Sequence, residues 1–237
     1  MGGGYYWDSD FATVDPKSLD ISKEIEKDVR KLNGNGDFRS EECIELLKQA
    51  DIVVTNHPFS LFREYVKVLM DNNKDFVILG NMNAITYKEV FPYIKENKIK
   101  MGYGFNKVME FDVPDTYQSK NGVVKVPAIC WYTTLQISKY HENMVLFRKY
   151  TQELYPRYDN YDAINVDKTC DIPADYDGAM GVPISFLDKY DPKQFEIIDG
   201  FNRYSFLTGP TEQTQGKYLS KINGIPKYAR IIIKKKQ

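Results

Sequence analysis

The sequence contains few of the residues on which disulfide-rich domains and metal sites depend. Three cysteines, Cys43, Cys130 and Cys170, lie far apart and form no Cys-x-x-Cys pair. A disulfide framework is therefore not expected in a chain of 237 residues. His57 and His141 are the two histidines of the chain, which argues against a histidine-rich metal site, and we expect no bound metal.

Long apolar segments are also missing from the sequence. No apolar run approaches the roughly 18 residues that a membrane-spanning helix needs. The first ten residues, MGGGYYWDSD, have neither the basic n-region nor the apolar h-region of a signal peptide. We therefore expect a cytoplasmic protein that makes no contact with a membrane.

The net charge of −1 conceals an asymmetry between the two ends of the chain. From residue 201 onward, eight basic residues oppose the single acid Glu212, so this tail carries a charge of +7 and the remainder −8. A basic terminal segment suits an anionic partner such as a nucleic acid. A solvated, frayed chain end is the simpler interpretation of the same composition.

One stretch, residues 51–62 with the sequence DIVVTNHPFSLF, combines a strand, a turn and the start of a helix. The apolar run 52–54 does not alternate with polar residues, which predicts a strand covered on both faces. Ser60 is positioned to cap the following helix, whose apolar residues recur at helical spacing. The turn between them then lies at the carboxyl edge of a sheet, where open α/β sheets bind ligands.

The rest of the first half alternates strand and helix patterns. Ser40 is expected to cap a helix that reaches Gln49, and Pro92 is expected to kink or split a helix over residues 87–97. Short links between alternating strands and helices are typical of a parallel α/β sheet. Strands are expected at residues 51–55, 76–79, 99–102 and 127–134.

Beyond residue 138 the composition shifts to tyrosine, charged residues and proline. The tyrosine cluster at 150–161 is expected to brace a core, with base stacking as the alternative. Three lysines follow the isoleucines of the last predicted strand, a pattern that indicates a charged edge strand. We divide the chain into an α/β part, residues 1–135, and an irregular α+β region, residues 136–237. Strands in the second part are expected at residues 181–187, 195–198 and 229–234.

The turn itself, Asn56-His57-Pro58-Phe59, has groups suited to holding an aromatic amine. The side-chain oxygen of Asn56 and the backbone carbonyl of residue 57 are two acceptors for the two amine hydrogens. This pairing localises the nitrogen lone pair and makes the amine a nucleophile. The ring of Phe59 can stack on a base flipped out of a duplex, a contact worth roughly 1–3 kcal/mol. We therefore predict an adenine site that accepts a methyl group from a sulfonium donor, with a plain turn between strand and helix as the alternative interpretation of the same four residues.

Several long segments resemble the adenine-specific DNA methyltransferases of the EcoRI type. The segments are GDFRSEECIELLKQADIVVTN, TNHPFSLFREYVKVLM, ILGNMNAITYKEVFPYIKENKI, YDNYDAINVDK and DYDGAMGVPISFLDKYDPKQFEI. The resemblance covers most of residues 36–198. It implies a partial Rossmann-like methyltransferase sheet in residues 1–135, with target recognition and DNA contacts in residues 136–237. It also implies methyl transfer from S-adenosyl-L-methionine to the N6 of adenine in double-stranded DNA, as part of restriction-modification.

The same resemblance assigns the site residues. The adenine site would be formed by Asn56, His57, Pro58 and Phe59, and the adenosine end of the cofactor would lie near Asp37 and Phe38. The family usually has proline where this chain has His57, so we expect a weakened site that is not abolished. His57 is not expected to act as a catalytic base, because the chemistry requires only its carbonyl.

A second departure concerns the methyl donor. In the family the segment that binds S-adenosyl-L-methionine precedes the catalytic strand, but only 50 residues precede Asp51 here. They contain no strand, glycine turn and helix in sequence. We therefore expect a monomeric chain without its cofactor-binding segment, as in a truncated gene, a fragment, or one half of a split protein whose other half is a partner chain.

Two further interpretations stay open from the sequence. The chain could be a non-catalytic DNA-binding remnant that keeps target recognition. Alternatively, the amine pocket could serve another planar amine, such as RNA guanine or the side chain of glutamine in a protein, since the turn alone does not distinguish these substrates.

Overall fold

The computed structural model of the chain describes residues 5–7, 29–113, 122–201 and 220–236. The chain divides into two compact units, Met1–Asp51 and Ile52–Gln237. The functional boundary that we place near residue 135 stays a prediction.

The first unit combines a small sheet with one helix. Strand β1 (Tyr5–Trp7) pairs antiparallel with β2 (Val29–Lys31). Helix α1 (Glu41–Gln49) follows, and the side chain of its N-cap residue, Ser40, accepts a hydrogen bond from a backbone N–H of the first turn. The predicted helix and cap are therefore confirmed.

The second unit contains a four-stranded sheet that carries the candidate site. Its strands are β3 (Ile52–Thr55), β4 (Asp75–Asn81), β5 (Lys100–Met101) and β8 (Ile129–Thr133). They are ordered β3-β4-β8-β5, with β3 parallel to β4 and β8 antiparallel to both of its neighbours.

The parallel direction expected for the first three strands is correct for β3, β4 and β5, but β8, for which no direction was predicted, lies antiparallel between β4 and β5. A parallel strand needs a long crossover connection, usually a helix. The chain instead reaches β8 through an antiparallel pair formed by β6 (Met109–Asp112) and β7 (Val123–Val126). The α/β class is confirmed, and the sheet is mixed.

Helix α2 (Phe62–Asp71) follows β3 and buries the predicted apolar face through Phe62, Val66 and Leu69. The expected cap at Ser60 is wrong, because a short 3-10 helix (Phe59–Leu61) comes between the turn and α2. The N-cap of α2 makes no side-chain hydrogen bond.

Proline decides the shape of the next helical segment. The helix expected over residues 87–97 is only five residues long, α3 (Phe91–Lys95), and Pro92 lies in its first turn. A residue in the first turn of a helix does not use its backbone N–H within the helix, so proline is tolerated there. Pro92 therefore lies at the start of α3 and does not kink it. A 3-10 helix (Met82–Thr86) precedes it.

Strand β3 is not covered on both faces as its apolar run predicts. Among the described strands it lies at the edge of its sheet, and Ile52 is 48% exposed and Val54 is 70% exposed. An apolar run shows that a strand can be buried, but it does not show which other strands the chain supplies to bury it.

A second four-stranded sheet forms the core of the later region. It has the order β11-β14-β10-β9 and contains β9 (Ile164–Asn165), β10 (Met180–Pro183), β11 (Phe195–Phe201) and β14 (Arg230–Lys235). The expected edge strand at β14 is wrong, because β14 pairs on both sides and its three isoleucines are fully buried. A short hairpin of β12 (Lys221–Ile222) and β13 (Ile225–Pro226) precedes β14.

The tyrosine cluster contributes to the core, as predicted. Tyr155 and Tyr158 are buried, and the hydroxyl of Tyr158 donates a hydrogen bond to the Asn165 side chain over 2.7 Å. In the part of the chain that the structure describes, no helix has the length and apolar character needed to cross a membrane.

Candidate functional site

The Asn-His-Pro-Phe turn begins where β3 ends at Thr55. Pro58 has φ −59° and ψ 123°, and its carbonyl accepts a hydrogen bond of 3.0 Å from the N–H of Leu61. This extended residue followed by a tight 3-10 turn separates the strand from α2. The turn thus lies at the carboxyl end of a parallel strand, the position that the sequence predicts.

His57 fixes the turn to helix α2 through its ring. The ring stacks on Tyr65 with centroids 4.7 Å apart and an interplanar angle of 11°. It also lies 5.2 Å from the ring of Phe62, and the residue is only 7% exposed. The side chain that replaces the usual proline is therefore packed against the helix.

Phe62 continues this contact to the second parallel strand. Its ring meets the ring of Tyr132 edge-on at 4.9 Å, and a Cβ atom at Gly80 would lie 2.2 Å from the ring. Real Cβ atoms are not found at such a distance, so only glycine permits this approach. The Tyr132 hydroxyl in turn donates a 2.8 Å hydrogen bond to the carbonyl of Asn81 at the end of β4. Sequence reasoning missed Gly80, whose signal was a glycine at the end of an apolar strand.

Two side chains of the turn are accessible to solvent beside the packed rings of His57, Tyr65 and Phe62. Asn56 is exposed, and no described residue forms a hydrogen bond with its side chain. The ring of Phe59 is 41% exposed, with its centroid 6.5 Å from that of His57. An amide oxygen and an aromatic face are thus both available to a ligand, while the residue between them is anchored.

His57 is buried without compensation for its polar atoms. Both ring nitrogens are shielded from solvent, and neither has a hydrogen-bond partner among the described residues. Burial lowers the pKa of the imidazole from its ordinary value of 6.5, because a charged ring would lose its hydration. The ring is therefore neutral at pH 7, and its nitrogens are closed off from a proton acceptor or donor.

This burial predicts a stability that depends on pH. The unfolded chain binds a proton at His57 near pH 6.5, whereas the folded chain does so only at lower pH. The stabilisation is present above the unfolded pKa and is lost as the pH falls from that value toward the folded pKa. We expect His57→Phe, which keeps an aromatic ring, to lose less stability than the original chain between pH 7.5 and 5, as measured by urea unfolding.

His141→Gln is the control for this pH series, since it removes the other histidine of the chain. Its pH profile measures the contribution of His141 by itself, so that the contribution of His57 can be separated from it. Parallel pH profiles for the original chain and His57→Phe would contradict the assignment of the effect to His57.

The two residues expected near the cofactor lie in the first compact unit, whereas the turn lies in the second. Both oxygens of the Asp37 carboxylate accept hydrogen bonds from the Arg39 guanidinium, over 2.9 Å and 2.7 Å. These bonds lower the pKa of Asp37 to about 2. The Arg39 guanidinium also lies 5.2 Å from the ring centroid of Phe38.

Arg39 engages both oxygens of Asp37, but a carboxylate has about four acceptor positions, so these bonds leave it able to accept from a ligand. A place for Asp37 and Phe38 at the cofactor stays a prediction. Asp37 also accepts from the N–H of Arg39 and so closes its own local turn. These local bonds hold the turn that precedes helix α1.

No group of three or more His, Cys, Asp and Glu side chains suited to a metal ion occurs among the described residues. The three cysteines are free thiols. Burial raises the pKa of the Cys130 thiol to about 12, so this thiol is not a nucleophile at neutral pH.

The α/β sheet with an Asn-x-Pro-Phe turn at the end of a parallel strand has the features that the resemblance to amino-methyltransferases implies. The sequence model of the family described as "Adenine-specific methyltransferase EcoRI" matches residues 8–236. The chain therefore belongs to this family.

Three curated relatives are similar over most of the chain. Type II methyltransferase M.EcoRI of Escherichia coli is 49% identical over 222 residues, which are 88% of this chain and 65% of the relative. M.MgeORF184P of Mycoplasma genitalium is 44% identical, covering 87% of this chain and 71% of the relative. M.MpnI of Mycoplasma pneumoniae is 37% identical, covering 89% and 73%.

The chain thus spans about two thirds of the length of these relatives, between 65% and 73%. No solved structure matches it.

Proposed function

We propose that the protein methylates the N6 of adenine at specific sites in double-stranded DNA, with S-adenosyl-L-methionine as the methyl donor. The observation that carries the proposal is the turn at the end of β3, where Asn56 and Phe59 are open to a ligand and His57 between them is buried. Family membership supports the same chemistry, since the family is described as adenine-specific.

The turn activates the amine by accepting both of its hydrogens. The side-chain oxygen of Asn56 and the carbonyl of His57 each accept one hydrogen, which favours a tetrahedral nitrogen with a localised lone pair. S-Adenosyl-L-methionine supplies the methyl group from a sulfonium centre. The amine nitrogen would form a bond to the methyl carbon as the carbon–sulfur bond of the sulfonium breaks and the thioether leaves. The nitrogen would then lose one proton to solvent, so the step requires no side-chain base.

In the proposal Phe59 binds the adenine, and the stacked rings of His57 and Tyr65 hold the turn in place. The exposed ring of Phe59 stacks on the extruded adenine, which cannot reach the acceptors while it is inside a duplex. The stacking of His57 on Tyr65 limits the rotation of the turn. A fixed acceptor stabilises the transition state more than a mobile one does, because it does not have to reorganise during the reaction.

A cleft in the same compact unit supports a role in DNA contact. It has a volume of about 570 Å³, and Tyr103 and Phe147 on its wall are 62% and 65% exposed. Lys107 and Lys189 also line it. Exposed aromatic rings beside ammonium groups suit the unstacked bases and phosphates of a nucleic acid, which a glutamine side chain in a protein does not present.

The proposal is tested by incubating the chain with unmethylated genomic DNA and S-adenosyl-L-methionine, then measuring N6-methyladenine by mass spectrometry of the digested DNA. We expect N6-methyladenine above the level of a reaction without the chain. Binding of DNA without methylation would instead support the non-catalytic remnant. Calorimetry with S-adenosyl-L-methionine in the same buffer shows whether the chain alone binds the donor.

His57→Pro should raise the methylation rate by about two- to fivefold. The proline ring restricts φ at residue 57 covalently, a conformational effect of about 0.4–1 kcal/mol, and so replaces the restraint from the stacking of His57 on Tyr65. It also removes two buried nitrogens that have no partner among the described residues. The comparison is made at one DNA concentration with the stability of both chains measured in parallel. Equal rates would show that His57 does not impair the site.

A further inference from the structure

The carboxyl ends of three strands lie along one edge of the β3-β4-β8-β5 sheet. Strands β3, β4 and β5 run in the same direction, because β8 is antiparallel to both β4 and β5. Thr55 at the end of β3 is level with Ile78 of β4. Tyr132 of β8 is level with both Ile78 and Met101, the last residue of β5. The adenine turn after β3 and the segment after β5 therefore leave the sheet at the same edge.

The spacing of these two exits is comparable to the width of a DNA groove. Three strand spacings of about 4.8 Å separate β3 from β5, so the exits are roughly 14 Å apart. The major groove of a DNA duplex is about 12 Å wide. A duplex with one backbone at the adenine turn can therefore place its other backbone near the end of β5.

Tyr103 follows β5 and lines the cleft of about 570 Å³. Its ring is 62% exposed. The ring is held in place, because its hydroxyl and that of Ser138 form a hydrogen bond of 2.7 Å and the Lys139 ammonium lies 5.6 Å from its centroid. An aromatic ring that is already held can stack on a base with little further loss of side-chain freedom.

The polar groups of the cleft wall suit a nucleotide. One lysine and one aspartate of the wall form an ion pair over 2.7 Å. The other charged residues of the wall are Lys107, Lys189 and Glu142, so two ammonium groups oppose one carboxylate, a balance that favours a phosphate. The exposed amide of Asn143 offers a hydrogen-bond donor and an acceptor, which match the O4 and N3–H groups of thymine.

We propose that the cleft binds the thymine that loses its partner when the target adenine leaves the duplex. The proposal rests on the proposed function, since its ligand is a DNA duplex from which an adenine has been extruded. A base without a partner costs less to extrude than a paired one. The thymine stacks on Tyr103 while the adenine stacks on Phe59, so the base pair does not re-form before the methyl group is transferred.

The experiment measures DNA binding without any methylation. The probes are a short synthetic duplex with one bulged thymine and the same duplex fully paired, each titrated with the full chain by fluorescence anisotropy. We expect the bulged duplex to bind at least about fivefold more tightly, as one stacking contact allows. Permanganate oxidises unstacked thymines, so the bulged thymine should be protected from it in the complex.

The informative variant is Tyr103→Ala, which should reduce the preference for the bulged duplex to less than about twofold and expose its thymine to permanganate. Tyr103→Phe retains the ring and should keep most of the preference. Tyr228→Ala is the matched control, since Tyr228 is 87% exposed and does not line the cleft. It should leave the preference unchanged, and circular dichroism checks that each variant folds.

Several results would overturn the proposal. They are equal Kd values for the two duplexes, a preference that Tyr103→Ala retains, and a bulged thymine that stays reactive in the complex. A preference that Phe59→Ala removes and Tyr103→Ala does not would also overturn it, since the thymine would then lie at the adenine turn.

The proposed function can fail separately from this inference. A chain that methylates adenine but does not distinguish the two duplexes would contradict only the thymine site. A chain that prefers the bulged duplex through Tyr103 but transfers no methyl group would contradict only the proposed methylation.

Discussion

Replacing Asn56 with alanine should lower the rate of adenine methylation by about 10²–10³-fold without unfolding the chain. The variant removes one of the two acceptors for the amine hydrogens, and the loss of one preorganised hydrogen-bonding group at a reacting centre has an effect of this size. The fold should persist, because Asn56 is exposed and no described residue forms a hydrogen bond with its side chain.

The measurement is the initial rate of methyl incorporation into DNA, together with the melting temperature of each variant. Asn83→Ala is the matched control, since Asn83 is also an exposed asparagine beyond the end of a strand of this sheet. It should keep most of the activity. A loss of less than tenfold in Asn56→Ala would contradict the role of its oxygen in the site.

The second large effect, on stability, is expected at the contact between the Phe62 ring and Gly80. Gly80→Ala places a Cβ atom 2.2 Å from the Phe62 ring. We expect it to lower the free energy of unfolding by about 1–3 kcal/mol, as overpacking does. Phe62→Ala should cost about 3–5 kcal/mol, because it empties a site that is only 2% exposed.

The two changes should not be additive. Without the Phe62 ring the new methyl group has space, so Gly80→Ala should cost little in the Phe62→Ala background. We expect a coupling energy of at least about 1 kcal/mol in urea unfolding.

Phe91→Ala provides the control cycle for this pair. Phe91 is also a buried phenylalanine, but it is not among the atoms nearest Gly80. Its cost should add to that of Gly80→Ala within about 0.5 kcal/mol. An equal cost of Gly80→Ala with and without the Phe62 ring would mean that the ring does not set the requirement for glycine.

The sequence predicted well those features of the fold that depend on residues close together in the chain. Ser40 caps α1 through its side chain, and Phe62, Val66 and Leu69 form the buried stripe of α2. These features depend on residues three or four positions apart, so a short stretch of sequence contains all the groups that interact. The predicted strands were also found, with ends within one to four residues, whereas the short strands β1, β2, β6, β7, β9, β12 and β13 were not predicted.

Strand direction and strand neighbours were not recoverable in the same way. The apolar pattern of β8 is the same for a parallel and an antiparallel strand, and its direction follows from the connection through β6 and β7. The exposure of Val54 and the central position of β14 likewise depend on which strands come from elsewhere in the chain. The sequence of one strand alone does not show which distant strand it pairs with.

The sequence predicted where the turn of the candidate site lies, but not which side chains support it. The spacing of Asn56 and Phe59 at a strand end indicated an amine pocket before any geometry was known. The stacking of His57 on Tyr65 and the contact of Phe62 with Gly80 were not indicated, because they join residues from a turn, a helix and another strand. Whether Asn56, His57, Pro58 and Phe59 bind adenine stays a prediction.

The central position of β14 also affects the order in which the chain can fold during its synthesis. β10 and β11 are both translated before β14, yet each pairs with β14 and neither pairs with the other. The ribosome must therefore release Arg230–Lys235 before this sheet can close. Until then the backbone groups of β10 and β11 that pair with β14 have no partner. Strands β3 and β4 and helix α2, which are close in sequence, can assemble much earlier.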